Sequence, residues 1–154
     1  MSKFSSGKYT VKFPNKYVGT NIGNITYRSS WEFAVMTEFD SGSPNILGWS
    51  SESVPIKYLN PLTQKWCNYI PDFFIAYIDA NAKKHVEIME VKPNKESPIL
   101  NANGLWESRG GSKKDKLVQI INAAKWQAAM IYCGKRGWKF RICTEQQLFA
   151  FKRK

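Results

Sequence analysis

The sequence predicts an α/β domain in which a mixed sheet is flanked by helices, built in the order helix, three strands, helix, strand. Three observations carry that reading. A capped, patterned segment after residue 27 reads as a helix, two β-rich segments at 66–78 and 85–92 face each other across a polar turn, and a long helical stretch starting at 113 leads into a strand at 138–144. A strand, long helix, strand passage favours a right-handed crossover with parallel pairing, whereas strands joined by short turns pair antiparallel. A sheet containing both kinds of neighbour follows.

Residues 1–26 are a basic segment with Gly and Asn, read as an arm holding one short strand at Tyr9–Phe13 and expected to be the least ordered part of the chain. From Tyr27, YRSSWEFAVMTEF is read as a helix. Ser29 suits the N-cap, Glu32 stands three positions later, and Trp31, Val35 and Phe39 repeat at helical spacing. SGSPNILG ends it. ESVPIKYL, residues 52–59, is read as a strand, with Pro55 marking an edge or a bulge.

Asn60-Pro61 makes a turn, Trp66–Ile78 and His85–Lys92 are aromatic and β-branched strands, and DANAKK between them suits a hairpin. Pro93 stops the second strand, and residues 94–112 form a long surface loop. In the long helix, Leu117, Ile120, Ile121, Ala124, Ala128 and Ile131 fall on one stripe, expected to face the core, with Lys113, Lys114, Lys116 and Lys125 largely off it. Gly134 and Gly137 mark its end. WKFRICT is a strand, and Thr144 with Gln147 opens a short closing helix through EQQLFAF. One domain over 27–154 is expected.

Hydrophobic residues at 43% with 14% aromatics are enough for a core, and 23 Lys+Arg against 12 Asp+Glu leave a net charge of +11. Such a field favours a polyanionic partner, nucleic acid before membrane. The longest apolar run, Phe73–Ile78, is too short for a bilayer, and MSKFSSGKYTVKF has no apolar signal region, so the chain is not expected to be secreted. Three cysteines without CxxC spacing and a single histidine, His85, argue against a zinc site and against hydrolysis built on a histidine base.

The charged residues at the strand ends matter most. Residues two apart on a strand point the same way, so Glu90 and Lys92 project together. If the strand behind Asp72 pairs with 85–92 as a hairpin, its start lies beside the other's end, and Asp72 joins them. Two carboxylates and an ammonium at the end of an apolar sheet suffer desolvation unless something offsets the charge. A hard divalent cation, Mg²⁺ or Mn²⁺, does so through carboxylate and carbonyl oxygens, and supplies a nucleophilic water and charge compensation at a phosphate. Lys92 is expected to orient that water and stabilise the phosphate under attack.

Pro71-Asp72, then Glu90-Val91-Lys92 on the next strand, after a helix carrying Glu32, resembles the PD-(D/E)xK nuclease superfamily, with its restriction-endonuclease-like αβββαβ core. YRSSWE, WSSESVPIKYLNP, YIPDFFI, EIMEVKP, AAKWQAAMIYC and GWKFRICTE resemble the head-completion nucleases of T-even-type tailed phages, which are similar to TnsA endonucleases of transposons. The resemblance implies metal-dependent endonucleolytic cleavage of DNA. It implies Asp72, Glu90 and the Val91 carbonyl as metal ligands, Lys92 as the catalytic lysine, and Glu32 as the helical glutamate of the family. It also implies work on packaged DNA ends in the host cytoplasm or virion, beside portal or head-tail connector proteins. The oligomeric state stays open, with cutting of both strands easier for a homodimer or a partnered subunit.

Other readings stand beside these. Glu90 and Lys92 can neutralise each other at a sheet rim, and Glu32 can be the partner of Ser29 in a capping box. Glu52 is a candidate for the same cleft as these acids, with an exposed edge-strand glutamate the favoured reading, and His85 reads as surface. Arg28, Lys125 and Gln127 are candidate DNA contacts or solvated surface; Trp106 is a candidate for stacking on a base or a partner. Lys8, Lys12, Lys16, Lys152, Arg153 and Lys154 are candidate phosphate contacts. The rival functions are a catalytically silent DNA-end-binding virion protein, and a transposon-end or junction-cutting nuclease.

Overall fold

The computed structural model describes residues 6–145. A two-stranded ribbon comes first, β1 (Gly7–Tyr9) antiparallel to β2 (Ile25–Tyr27), with a 3₁₀ turn at Pro14–Lys16 between them. Helix α1 (Ser30–Phe39) follows, its Ser29 side chain accepting from the Glu32 amide at 3.2 Å, as the cap pattern predicts. β3 (Ile46–Ser51) enters the sheet, a separate hairpin of β4 (Ile56–Leu59) and β5 (Trp66–Tyr69) leaves it, and β6 (Phe73–Ile78) and β7 (Lys84–Val91) return to it. A loop with a 3₁₀ turn and a small ladder, β8 (Ile99–Leu100) with β9 (Trp106–Glu107), leads to α2 (Lys113–Arg136) and β10 (Lys139–Cys143).

The central sheet runs β10-β7-β6-β3. β10 lies parallel to β7, while β7 with β6 and β6 with β3 are antiparallel. This is the mixed sheet expected from the crossover argument, and the α/β, restriction-endonuclease-like class holds. Two cores flank it. Val35, Met36 and Phe39 of α1 pack with Trp49, Phe73, Ile75, Met89 and Val91; Trp126 and Ala129 of α2 pack with Ile56, Tyr58 and Tyr69 of the hairpin.

Several elements differ from the sequence reading. Residues 6–26 are not a loosely attached arm. Tyr9, Tyr17 and Ile25 are buried in the first core, and buried Asp40, just past α1, accepts from Tyr9 Oη (2.7 Å) and from the amides of Lys12 (2.7 Å) and Phe13 (3.0 Å). Two of the lysines read as phosphate contacts bond within the chain, Lys8 on the surface with Asn24 and Thr26 and half-buried Lys16 with the Ile46 carbonyl.

The first sheet strand is Ile46–Ser51, not 52–59. Its Gly48 hides the pattern. A Cβ there would meet Val18 Cγ1 at 2.8 Å, so the glycine lets the incoming chain lie against β3, where Tyr17 bridges to Trp49. The single strand read over 66–78 is two strands, broken at Ile70-Pro71-Asp72, because Pro71 cannot donate to a ladder.

On α2 the apolar stripe is only partly the buried face: Ile121, Ala124 and Ala128 pack against the second core, but the fully buried positions lie elsewhere. Gln119, Asn122, Trp126, Ala129 and Cys133 are buried, whereas Leu117, Ile120 and Ile131 are exposed. Gln119 and Asn122 turn inward because the preceding loop carries carbonyls that need donors: Gln119 Nε2 donates to Lys95 and Gly110, and Asn122 Nδ2 to Glu96. Capping at Ser112–Asp115 and a left-handed Gly137 (φ 72°) bound this helix, and Gly134 lies within it. The expected closing helix, with Gln147, and the tail cations Lys152, Arg153 and Lys154 lie outside the described residues.

Candidate active site

The register of the β6–β7 hairpin, with Phe73 opposite Met89, places Asp72 beside Glu90. The two strand ends interlock. Asp72 N donates to Glu90 Oε1 (3.2 Å), and Val91 N donates to Asp72 Oδ2 (2.8 Å). Lys92 Nζ lies 3.8 Å from Glu90 Oε2, and its backbone amide donates to Cys143 O at 3.0 Å, so the end of β10 fixes its position. The gathering predicted from strand alternation is present.

Glu32 approaches from α1 and Glu52 from the end of β3. One oxygen from each of Glu32, Glu52 and Asp72 lies within 4.8 Å of the other two. The Glu32 carboxylate is not the reciprocal half of a capping box, since it accepts from Arg28 N at 3.4 Å, leaving the Ser29 amide aside. Glu52 departs from the reading of an exposed edge residue. Its amide donates to Asp72 O (2.9 Å), its backbone is left-handed at φ 49°, and Arg28 grips its carboxylate with two bonds of 3.0 and 3.2 Å. That backbone is strained for a non-glycine residue, and its hydrogen bond to Asp72 helps hold it.

Two adjoining clefts open here and share Arg28 and Lys92. One, of about 630 Å³, is lined by Glu32, Val91 and Asn94 among others. The other, of about 360 Å³, includes Glu52, Asn68, Tyr69, Asp72, Glu90 and Lys125. Tyr69, absent from the sequence argument, contributes a buried hydroxyl that faces Glu90 without closing a well-formed hydrogen bond. Lys125 Nζ sits over the Tyr58 and Tyr69 rings at 5.8 and 5.7 Å. Gln127, two residues further along α2, is turned about 200° away from Lys125 by helical geometry.

Burial, then the charge of Glu90, raises the Asp72 carboxyl well above the usual range. Burial also raises Glu90, against the pull of Lys92. Glu32 is pushed up to about 7 by burial and then by Asp72. Lys125 is lowered by burial and then by Lys92. The site is therefore an under-compensated set of carboxylates. Hard oxygen donors and raised carboxyl pKa values together fit a divalent cation such as Mg²⁺.

Two other candidates are structural. His85 Nε2 lies 2.6 Å from Asp79 Oδ2 and its ring stacks on Tyr77, at the turn end of the β6–β7 hairpin, far along the strands from Glu90. Trp106 is not free for stacking on a base, because its Nε1 donates to Met130 Sδ at 3.2 Å and its ring packs edge-on against Trp126.

Sheet order, the Pro71-Asp72 break and the Glu90-Val91-Lys92 strand end define a member of the PD-(D/E)xK nuclease superfamily. More narrowly, the chain belongs to the TnsA-like endonuclease N-terminal family, whose profile matches residues 43–145. It is 33% identical over 147 residues to the head completion nuclease of Enterobacteria phage T4, covering 94% of each chain. Among the described residues, no helix is long and apolar enough to cross a membrane.

Proposed function

We propose that this chain is a divalent-metal-dependent DNA endonuclease that processes packaged DNA ends during phage head completion. The observation that carries the reading is the Asp72–Glu90 interlock with Lys92 beside it, at the mouth of two clefts in a strongly basic protein. Asp72, Glu90 and the Val91 carbonyl would hold Mg²⁺ or Mn²⁺. When bound, such a cation supplies Lewis-acid charge compensation at the scissile phosphate and lowers the pKa of an attacking water.

The chain's own groups do the rest. Lys92, fixed by β10, presents an ammonium to the phosphate and stabilises the charge that builds there during displacement. Glu32, with a carboxyl near pKa 7, can exchange a proton at neutral pH and sits across the cleft from Lys92. Arg28, anchored by Glu52, offers a guanidinium at the rim for a second phosphate. Lys125 adds a further cation to the wall behind Glu90.

The test is cleavage of supercoiled plasmid and of linear duplex with Mg²⁺ or Mn²⁺. Wild type should nick or cut, EDTA should stop it, and Asp72→Ala and Lys92→Ala should lose cleavage while binding DNA. Undiminished cleavage by Asp72→Ala would remove this site from the reaction. Tight DNA binding by the wild type with no cleavage under any divalent metal would favour a structural end-binding protein.

A further inference from the structure

We propose that the outer face of the β4–β5 hairpin is a docking strip for unpaired DNA next to the scissile bond; the assignment rests on the endonuclease reading and names the substrate form. The hairpin is inserted between β3, which ends at Glu52, and β6, which begins after Asp72. Its burial alternates. Ile56, Tyr58 and Tyr69 turn inward onto Trp126 and Ala129, which makes the hairpin a fixed platform. Lys57, Leu59, Trp66 and Asn68 turn outward, paired across the strands as Lys57 with Asn68 and Leu59 with Trp66.

Trp66 is 71% exposed, more than any other large hydrophobic side chain among the described residues. An indole held open on a rigid strand carries a hydration penalty that a partner would relieve. Lys57, Trp66, Cys67 and Asn68 line a shallow hollow of about 190 Å³, and Asn68 also lines the cleft of Asp72, Glu90 and Lys92. The strip thus continues the candidate catalytic groove.

Charge and ring chemistry identify the occupant. Residues 53–71 contain Lys57 and Lys65 and no acid, so the strip complements a polyanion. A flat indole flanked by an ammonium and an amide matches a base face beside its phosphate, since base stacking on an aromatic tolerates any sequence and adds to backbone contacts. Bases inside a duplex have both faces covered by neighbours, so the strip selects an unpaired segment.

The test uses the full chain with Ca²⁺ in place of Mg²⁺, measuring anisotropy of a labelled blunt duplex and of the same duplex with a single-stranded extension. Wild type should prefer the extended duplex. Trp66→Ala should weaken binding to the extended duplex by roughly ten- to a hundredfold, the scale of one or two lost stacking contacts. Its affinity for the blunt duplex should stay within about twofold, and Trp66→Phe should restore most of the loss. Equal affinity of wild type and Trp66→Ala for the extended duplex would overturn the proposal and assign the strip to a protein contact. A matching loss on both duplexes, with an unchanged melting temperature, would overturn the selectivity for unpaired DNA. Asp72→Ala separates the two readings. It should lose cleavage and keep the preference for the extension, whereas retained cleavage would sink the site assignment without touching the strip.

Discussion

Asp72 and Glu90 each accept a hydrogen bond from the other's strand, Glu90 from the Asp72 amide at 3.2 Å and Asp72 from the Val91 amide at 2.8 Å. Two like charges are thereby held together by backbone donors, not by each other. Burial raises both carboxyls, so the metal-free pair stores repulsion and desolvation that a cation or a proton relieves. Under the proposed function such an arrangement would favour binding of a cation while contributing little to the stability of the metal-free fold.

Replacing one charge without changing shape should therefore separate stability from activity. Asp72→Asn keeps an oxygen to accept from Val91 N but removes a buried charge. Cleavage should fall to background, while the melting temperature in EDTA should stay level or rise. Asp72→Ala should also lose cleavage but melt lower, because the Val91 amide loses its acceptor at a cost of about 1–3 kcal/mol. Paired thermal melts and plasmid cleavage assays check this; a lower melting temperature for Asp72→Asn than for Asp72→Ala would contradict it.

Asp40 offers a contrasting case, a buried carboxylate with a structural task. It accepts from Tyr9 Oη and from two backbone amides, and so fastens the first strand region to the end of α1. Asp40→Ala should destabilise the fold by about 3 kcal/mol, the scale of losing charge-assisted bonds and leaving buried donors unpaired. The signature is local: proteolysis within residues 6–26 should accelerate before the global melt. Unchanged protection there would mean that the aromatic contacts of Tyr9 and Tyr17 suffice.

Much of this architecture was legible because its signals are local. The Ser29 cap, the DANAKK turn, the period-two placement of Glu90 and Lys92, and the long helix ending at Gly137 each follow from neighbouring residues. The misreadings share one cause, long-range partners. Gly48 weakens the β3 pattern until Val18 is known to lie against it. With β3 missed, Glu52 looks like the start of the following strand, when it sits directly after β3, the edge strand of the central sheet, with its amide bonded to Asp72. Nothing in the pattern turns Gln119 and Asn122 inward until the loop carbonyls they satisfy are in place. Tyr69 carried no signal at all, since a tyrosine in an aromatic strand reads as core.

Arg28 and Glu52 provide a binding test. The guanidinium is largely exposed and its partner only partly so, which makes the ion pair a weak source of stability but a directed cation. Arg28→Ala should change the melting temperature little, weaken DNA binding, and reduce the slope of log affinity against log salt by about one. Arg28→Lys should recover the salt slope but not the full affinity, because an ammonium cannot make the two-bond grip on Glu52. An unchanged slope in Arg28→Ala would place the residue outside the DNA path.

Glu32 should contribute to the pH behaviour of the metal-free protein. Its carboxyl is near 7 in the fold, raised by burial and Asp72, against an ordinary value of 4.5. Between those values the folded chain holds a proton that the unfolded chain has released, so stability falls as pH rises through the window and levels off above it. Asp72 and Glu90 are shifted in the same direction and add to the trend. Under the proposed function a bound cation would need these carboxylates ionised, so protons and cation would compete. The rise in melting temperature on adding Mg²⁺ should therefore be small at pH 5 and larger at pH 8. Glu32→Gln should flatten the EDTA curve between pH 5 and 7, and lower cleavage even where its melting temperature matches or exceeds that of the wild type. A pH profile in EDTA identical for wild type and Glu32→Gln would show that another group carries the transition.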